Sequence, residues 1–228
     1  MRKSLNALAL AAVMSLILSP VLADDIVPPW WRDKDPDHVA NRSTFQQWEF
    51  GSDEQTTAAE NGYEDPPGTL GPPTAVVYAG ATWIDDDPDS SRQGIWSLTE
   101  STTDGWIDLF ILNYSDGPEK KIWVQLTWKP LDFVPPAEPG QPLITGLDDT
   151  FTSFDFDLVS ERSLDEGWIH STYLSVIQPN PLQEIVAISG DILVDEVVVD
   201  TICPEPATLA LMALGFPLLM KSRRRRRC

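Results

Sequence analysis

The sequence predicts an all-β protein, an antiparallel β-sandwich of jelly-roll-like form, on three observations. Apolar residues alternate with polar ones at period 2 in many short runs. Those runs are rich in Trp, Val, Ile and Thr and are separated by Pro and Gly. No window away from the two ends carries the apolar stripe of an amphipathic helix. Within the sandwich class, the number of strands alone points to the jelly-roll-like arrangement.

In chain order the predicted strands begin with 74–78 and 94–99. Next come the alternating sets Ile107, Leu109, Ile111 and Ile122, Val124, Leu126, Trp128. Strands at 151–159, 167–177, 184–188 and 191–202 complete the set, the last two joined across Ser189-Gly190. Three loops are predicted: 61–73, dense in Gly and Pro, the acidic 85–91, and 130–149 with its five prolines. The third is long for a compact domain. The segment 24–43, containing Pro28-Pro29-Trp30-Trp31, reads as an irregular arm lying on the sandwich. No internal repeat is visible, so 24–202 is read as one domain.

The two ends are addresses. Arg2 and Lys3 precede the apolar run 5–18, Ser19-Pro20 breaks it, and Val21-Leu22-Ala23 supplies modest side chains for a signal peptidase. This predicts a helical secretory signal peptide, 1–23, cleaved between Ala23 and Asp24. At the other end, 203–228, Pro204-Glu205-Pro206 leads into the uncharged stretch 207–220. A basic stop follows, made of Lys221, Arg223, Arg224, Arg225, Arg226 and Arg227, with Cys228 last. The stretch is predicted as a transmembrane helix of about 21 Å, against a hydrocarbon core of about 30 Å. Gly215 and Pro217 weaken it, while snorkelling of the basic side chains offsets the shortfall. Such a helix is built to pause in a membrane. Its arginines stay cytoplasmic by the positive-inside bias, which leaves everything before Pro204 outside, the side the signal peptide also predicts.

Pro204-Glu205-Pro206-Ala207-Thr208, then a leucine- and alanine-rich helix, then an arginine run, resembles the PEP-CTERM sorting domain. The resemblance covers only the tail, and the short apolar run and the final cysteine depart from the family pattern. It implies recognition by an exosortase, a membrane protease with transpeptidase character, in Gram-negative bacteria that make exopolysaccharide. The expected path is export across the inner membrane, transient anchoring and delivery to the cell surface or beyond. The expected partners are signal peptidase, exosortase and exopolysaccharide.

Charge becomes informative once the ends are set aside. Segment 24–206 holds 8 basic residues against all 35 acidic ones, a net charge of −27. It repels nucleic acid and anionic lipid, so nucleic acid is no partner. Of the two cysteines, Cys203 and Cys228, the second lies beyond the predicted membrane segment, so an internal disulfide is not expected. A domain of this length supplies its stability from an ordinary core.

Catalytic residues are not nominated. His38 sits in the arm and His170 in a strand, where it shares a face with Trp168, Leu174 and Val176 and reads as a satisfied, partly buried imidazole. Gly-x-Ser-x-Gly and His-Glu-x-x-His are both absent. Asp85, Asp86, Asp87 and Asp89 form a weak calcium candidate without EF-hand spacing, and the reading adopted is a solvated acidic loop with no cofactor. Asp148, Asp149, Asp155 and Asp157 form a weaker candidate. Tryptophan is the third signal. Trp123 and Trp128 fall on opposite faces of one strand, so at least one is core, and Trp30-Trp31 reads as a plug docking the arm.

The expectation is a non-enzymatic, exported surface or extracellular-matrix protein whose domain is structural or adhesive. The alternatives are a carbohydrate-binding module for exopolysaccharide and, after it, a polysaccharide hydrolase.

Overall fold

The computed structural model describes residues 43–59, 61–62, 72–99, 105–111, 117–131 and 140–203. The signal peptide with its Ala23–Asp24 junction, residues 24–42 of the arm, and the tail from Pro204 onward lie outside the described residues.

In chain order the strands are β1 (Ser43–Trp48), β2 (Thr56–Ala58), β3 (Asn61–Gly62), β4 (Thr74–Val77) and β5 (Thr82–Asp86). They continue with β6 (Gln93–Leu98), β7 (Ile107–Phe110), β8 (Lys120–Pro130), β9 (Leu143–Asp148) and β10 (Ser153–Asp155). The last are β11 (Asp157–Ser163), β12 (Ile169–Ile177), β13 (Glu184–Ser189) and β14 (Ile192–Ile202). They form two antiparallel sheets. The smaller runs β10-β9-β13-β7-β4-β2, and the larger runs β11-β12-β8-β14-β1-β3, with β6 beside the first residues of β14 and β5 outside it. From β6 to β9, and again from β12 to β14, each connection crosses from one sheet to the other.

Period-2 alternation places the core between the sheets. Ile122, Val124, Leu126 and Trp128 of β8 point inward with Val197 and Val199 of β14, against Ile107, Leu109, Val186 and Ile188 of the smaller sheet. All of these are buried. Fully burying such a side chain contributes about 1.5–3 kcal/mol. A bulge at Asp195 resets the parity of β14, so Val194 points inward before it and Glu196 outward after it. Lys120 and Glu184 form a fully buried ion pair, Nζ to Oε2 2.8 Å, that joins β8 to β13.

Glycine is required at two places. Gly190, φ 126°, turns β13 into β14, and a Cβ there meets the Gln141 carbonyl oxygen at 2.4 Å. Gly146 of β9 lies under the Phe154 ring, where a Cβ meets ring carbons at 2.0 Å.

Several sequence expectations are corrected in detail. The stretch 151–159 contains two strands, β10 and β11, that belong to different sheets. The predicted loop 130–149 holds β9, the predicted loop 85–91 begins with the last residues of β5, and β3 opens the predicted loop 61–73. β1, β2 and β5 lie outside the predicted strands, and Ser43, assigned to the arm, opens β1. Cys203, grouped with the tail, directly follows β14 and is buried.

Candidate functional site

The outward face of the larger sheet is the candidate site. Because β12, β8, β14 and β1 pair in register, their outward side chains line up in rows across the sheet. One row runs His170, Thr127, Glu196. The next runs Thr172, Gln125, Val198, Gln47, and a third Leu174, Trp123, Asp200, Phe45. The last runs Val176, Lys121, Ile202, Ser43. Arg162 of β11 extends the first row beside His170.

These rows are polar, yet their centre is closed to water. Ser43 is 2% exposed, and Gln125, Thr127, His170, Thr172 and Asp200 are each 1% exposed. Gln47 donates its amide to Glu196 at 2.7 Å, and the His170 ring Nδ1 lies 3.3 Å from the Thr127 hydroxyl. His170 does share its face with Trp168 and Leu174, as its parity requires, and is more deeply buried than expected. Both amide atoms of Gln125 and the hydroxyls of Ser43 and Thr172 have no hydrogen-bond partner among the described residues. The same holds for the Trp48 and Trp96 indole N–H groups and for Glu184 Oε1 in the interior, so such atoms occur on both sides of the larger sheet.

One end of this face is walled. Trp168, which leads the chain out of the 3-10 turn Asp165–Gly167 and into β12, is fully buried against Ile95 and Leu193. The Arg92 guanidinium lies 5.0 Å and the Lys129 ammonium 5.9 Å from the Trp168 ring centroid. Arg92 pairs with Asp195 at the β14 bulge. The cations both stack and bond, which fixes this rim.

The acidic residues singled out from the sequence are placed as follows. Asp85 and Asp86 are exposed at the end of β5, and Asp89 is exposed in the turn after it. Asp87 is buried and accepts hydrogen bonds from the Ser90 hydroxyl at 2.7 Å, the Asp89 N–H at 3.1 Å and Lys129 at 3.3 Å. Burial works to raise its pKa, but these donors together hold the carboxyl below its ordinary range. Its oxygens are thus committed to shaping the turn and holding Lys129. Asp148 likewise accepts from the N–H groups of Thr150 and Thr152, each at 2.8 Å. Among the described residues, no group of three or more His, Cys, Asp and Glu is arranged to hold a metal ion. No helix among them is long and apolar enough to cross a membrane.

Of the tryptophans, Trp48, Trp96, Trp128 and Trp168 are buried. Trp83 packs edge-on against Trp96 at 5.2 Å, and Trp106 stacks on Tyr78 at 4.3 Å. Trp123 is half-buried on the outward face, while Trp128 on the same strand is core. Sequence reasoning identified the odd spacing of this pair but missed the face on which Trp123 sits. The signal for that face was the polar set Gln125, Thr127, Thr172 and Asp200, interleaved with core residues on three strands.

Comparison with known proteins found no matching family model and no matching curated protein. Among solved structures the chain is similar to the CBM22-1 xylan-binding domain of Paenibacillus barcinonensis Xyn10C, at 9% sequence identity and a TM-score of 0.32. That similarity covers 70% of this chain and 94% of the other.

Proposed function

We propose that this chain is an exported surface or extracellular-matrix protein, processed at both ends, whose jelly-roll-like sandwich is a non-enzymatic adhesive module. Its contact face is the outward face of the larger sheet, and the partner is a neutral polysaccharide. The observation that carries this reading is the accessible end of that face, where half-buried Trp123 lies in register with Leu174 and beside Lys121 and exposed Val176. An indole offers an apolar body to a sugar ring, and planar amides and hydroxyls offer paired donors and acceptors to sugar hydroxyls. The net charge of −27 over 24–206 favours an uncharged polymer over an anionic one.

A hydrolase fits this face less well. Its β14 carboxylates are withdrawn from solvent: Glu196 is 4% exposed and accepts from Gln47 at 2.7 Å, and Asp200 is 1% exposed. A glycosidase needs both carboxyls to flank a substrate.

Affinity electrophoresis of the secreted protein through gels holding soluble neutral or uronic-acid polysaccharides tests the binding. Retardation by a neutral polymer, reduced at least about tenfold in apparent affinity by Trp123→Ala, is the expected result. No retardation by any polymer sinks the adhesive reading. The sorting reading is tested separately: Pro204→Ala with Glu205→Ala leaves a full-length, membrane-retained precursor. Unchanged processing in that variant, by intact mass, removes the exosortase from the account.

A further inference from the structure

We propose that the smaller sheet's outward face carries a second, separate ligand site: a slot that holds one neutral pyranose ring between Trp106 and Leu143, above Ser189. It lies on the opposite side of the sandwich from Trp123 and stands whether or not that other face binds polymer.

Register assembles the slot. β4, β7, β13 and β9 are consecutive neighbours in the smaller sheet. Their registers, carried one residue past β4 and before β7, set Tyr78, Trp106, Ser189 and Leu143 in one row. The Tyr78 N–H donates to the Trp106 carbonyl at 3.0 Å, in keeping with that extension. The adjoining residues Val77, Ile107, Ile188 and Ile144 are buried core, so by parity this row faces outward. The next outward row is Val76, Asp108, Ala187 and Thr145.

Ring geometry gives the row its shape. The Tyr78 and Trp106 rings stack with centroids 4.3 Å apart and planes 19° from parallel. That separation is close to the spacing of neighbouring strands, about 4.8 Å, so the stack runs along the row and both rings stand up from the sheet. Tyr78 covers one face of the indole, and the other face looks across β13 toward Leu143. Two strand spacings, about 9.6 Å, separate the backbones of Trp106 and Leu143. The floor between them is the short side chain of Ser189, continued by Ala187 in the next row. A ring stacked about 4.5 Å from the indole stands over Ser189 and meets Leu143 with its other face. Leu143 is 54% exposed, and Trp106, Ser189 and Ala187 are half-buried, so the slot is open to solvent.

Polar groups select the ring. Asp108 and Thr145 flank Ala187 from β7 and β9. Asp108 accepts hydrogen bonds from the Tyr78 and Trp106 side chains, which pins the indole. A carboxylate accepts about four bonds, so these two leave capacity for sugar hydroxyls. Burial holds the Asp108 carboxyl above its ordinary range, although both donors oppose the rise. Thr145 and Ser189 add hydroxyls that both donate and accept. A pyranose has apolar faces and hydroxyl-bearing edges, and it uses the walls and these groups together. The Asp108 charge and the net −27 over 24–206 disfavour a uronic acid.

Titration of the isotope-labelled secreted protein with neutral glucan, xylan and mannan hexasaccharides, followed by nuclear magnetic resonance at the indole N–H signals, tests this. The Trp106 signal is assigned by its loss in Trp106→Phe. The expected result is a saturable shift of that signal with at least one hexasaccharide, half-complete below about 10 mM. Ser189→Leu fills the floor while keeping the ring stack, and should weaken this binding at least about tenfold. Trp123→Ala should leave it unchanged. A Trp106 signal that no hexasaccharide moves overturns the proposal, as does binding that survives Ser189→Leu. A shift produced by tetramethylammonium and by no saccharide overturns it too, since the slot is then a cation site. Binding lost in Trp123→Ala and kept in Ser189→Leu assigns the ligand to the larger sheet and removes this site. Gel retardation sensitive to Trp123→Ala beside a silent Trp106 does the same, so the two faces fail separately.

Discussion

The two sheets share one dry interior but treat their outward faces differently. On the smaller sheet, outward positions such as Asp108, Phe110, Thr145 and Ala187 are half-buried, the ordinary condition of a sheet facing water. On the larger sheet the central positions Gln125, Thr127, His170 and Thr172 carry polar side chains and are closed to solvent, while Trp123 and Leu174 beside them are half-buried. Polarity and burial normally oppose each other. Where they coincide on one face, the side chains are matched to something other than bulk water.

The largest test of this contrast lies at the seam between the sheets. Burial pushes the Glu184 carboxyl above its ordinary range, and Lys120 works against that rise. Glu184→Ala removes the carboxylate paired with the buried Lys120 ammonium, at an expected cost of about 3–5 kcal/mol in urea unfolding. Lys120→Met combined with Glu184→Leu should lose far less, since the pair's desolvation is then relieved. A cost below about 1 kcal/mol for the single change shows that water reaches the seam, and the shared dry interior fails. The pH dependence has a fixed sign. A raised folded pKa gives stability that is fully present below the ordinary glutamate range and lost as pH rises through the folded value. Glu184→Gln flattens that loss.

A smaller effect addresses the larger sheet's outward face directly. Replacing the orphaned amide by an apolar side chain of similar length, Gln125→Met, should leave stability unchanged or raise it by about 1 kcal/mol. A loss exceeding that shows an amide already satisfied. The smallest effect is the control. Ala187→Ser, on the smaller sheet's outward face, should move unfolding by no more than about 0.5 kcal/mol. A large effect there means that both faces are covered, and the contrast disappears.

Strands whose alternation separates core from polar positions, such as β7, β8 and β12, were legible in the sequence. β1 was not, because Ser-Thr-Phe-Gln-Gln-Trp places Gln46 and Thr44 on the inward side and Phe45 on the outward side. Its inward hydroxyl is satisfied locally, Thr44 to Thr201 at 2.6 Å, a pairing that no residue pattern announces. β9 was hidden by flanking prolines and by Gly146, which is small because Phe154 lies on it. The candidate face was legible only as composition. Lys121, Trp123, Gln125, Thr127 and Lys129 read as an outward stripe whether water or protein lies over it, since hydrogen bonding to either uses the same side chains. Its closure depends on strands far apart in sequence, and the register that unites them is a tertiary fact.

β14, the last strand among the described residues, lies at the centre of the larger sheet, with β8 along one edge and β6 and then β1 along the other. A chain emerging amino end first therefore holds β1, β6 and β8 apart until its final strand arrives. Every earlier nascent length lacks the piece that joins them, and its paired edges stay open to mispairing. Stop codons or proteolytic nicks just before Ile192 should thus yield no partly functional remnant, and quality control acts on an all-or-none product whose assembly waits for residue 202.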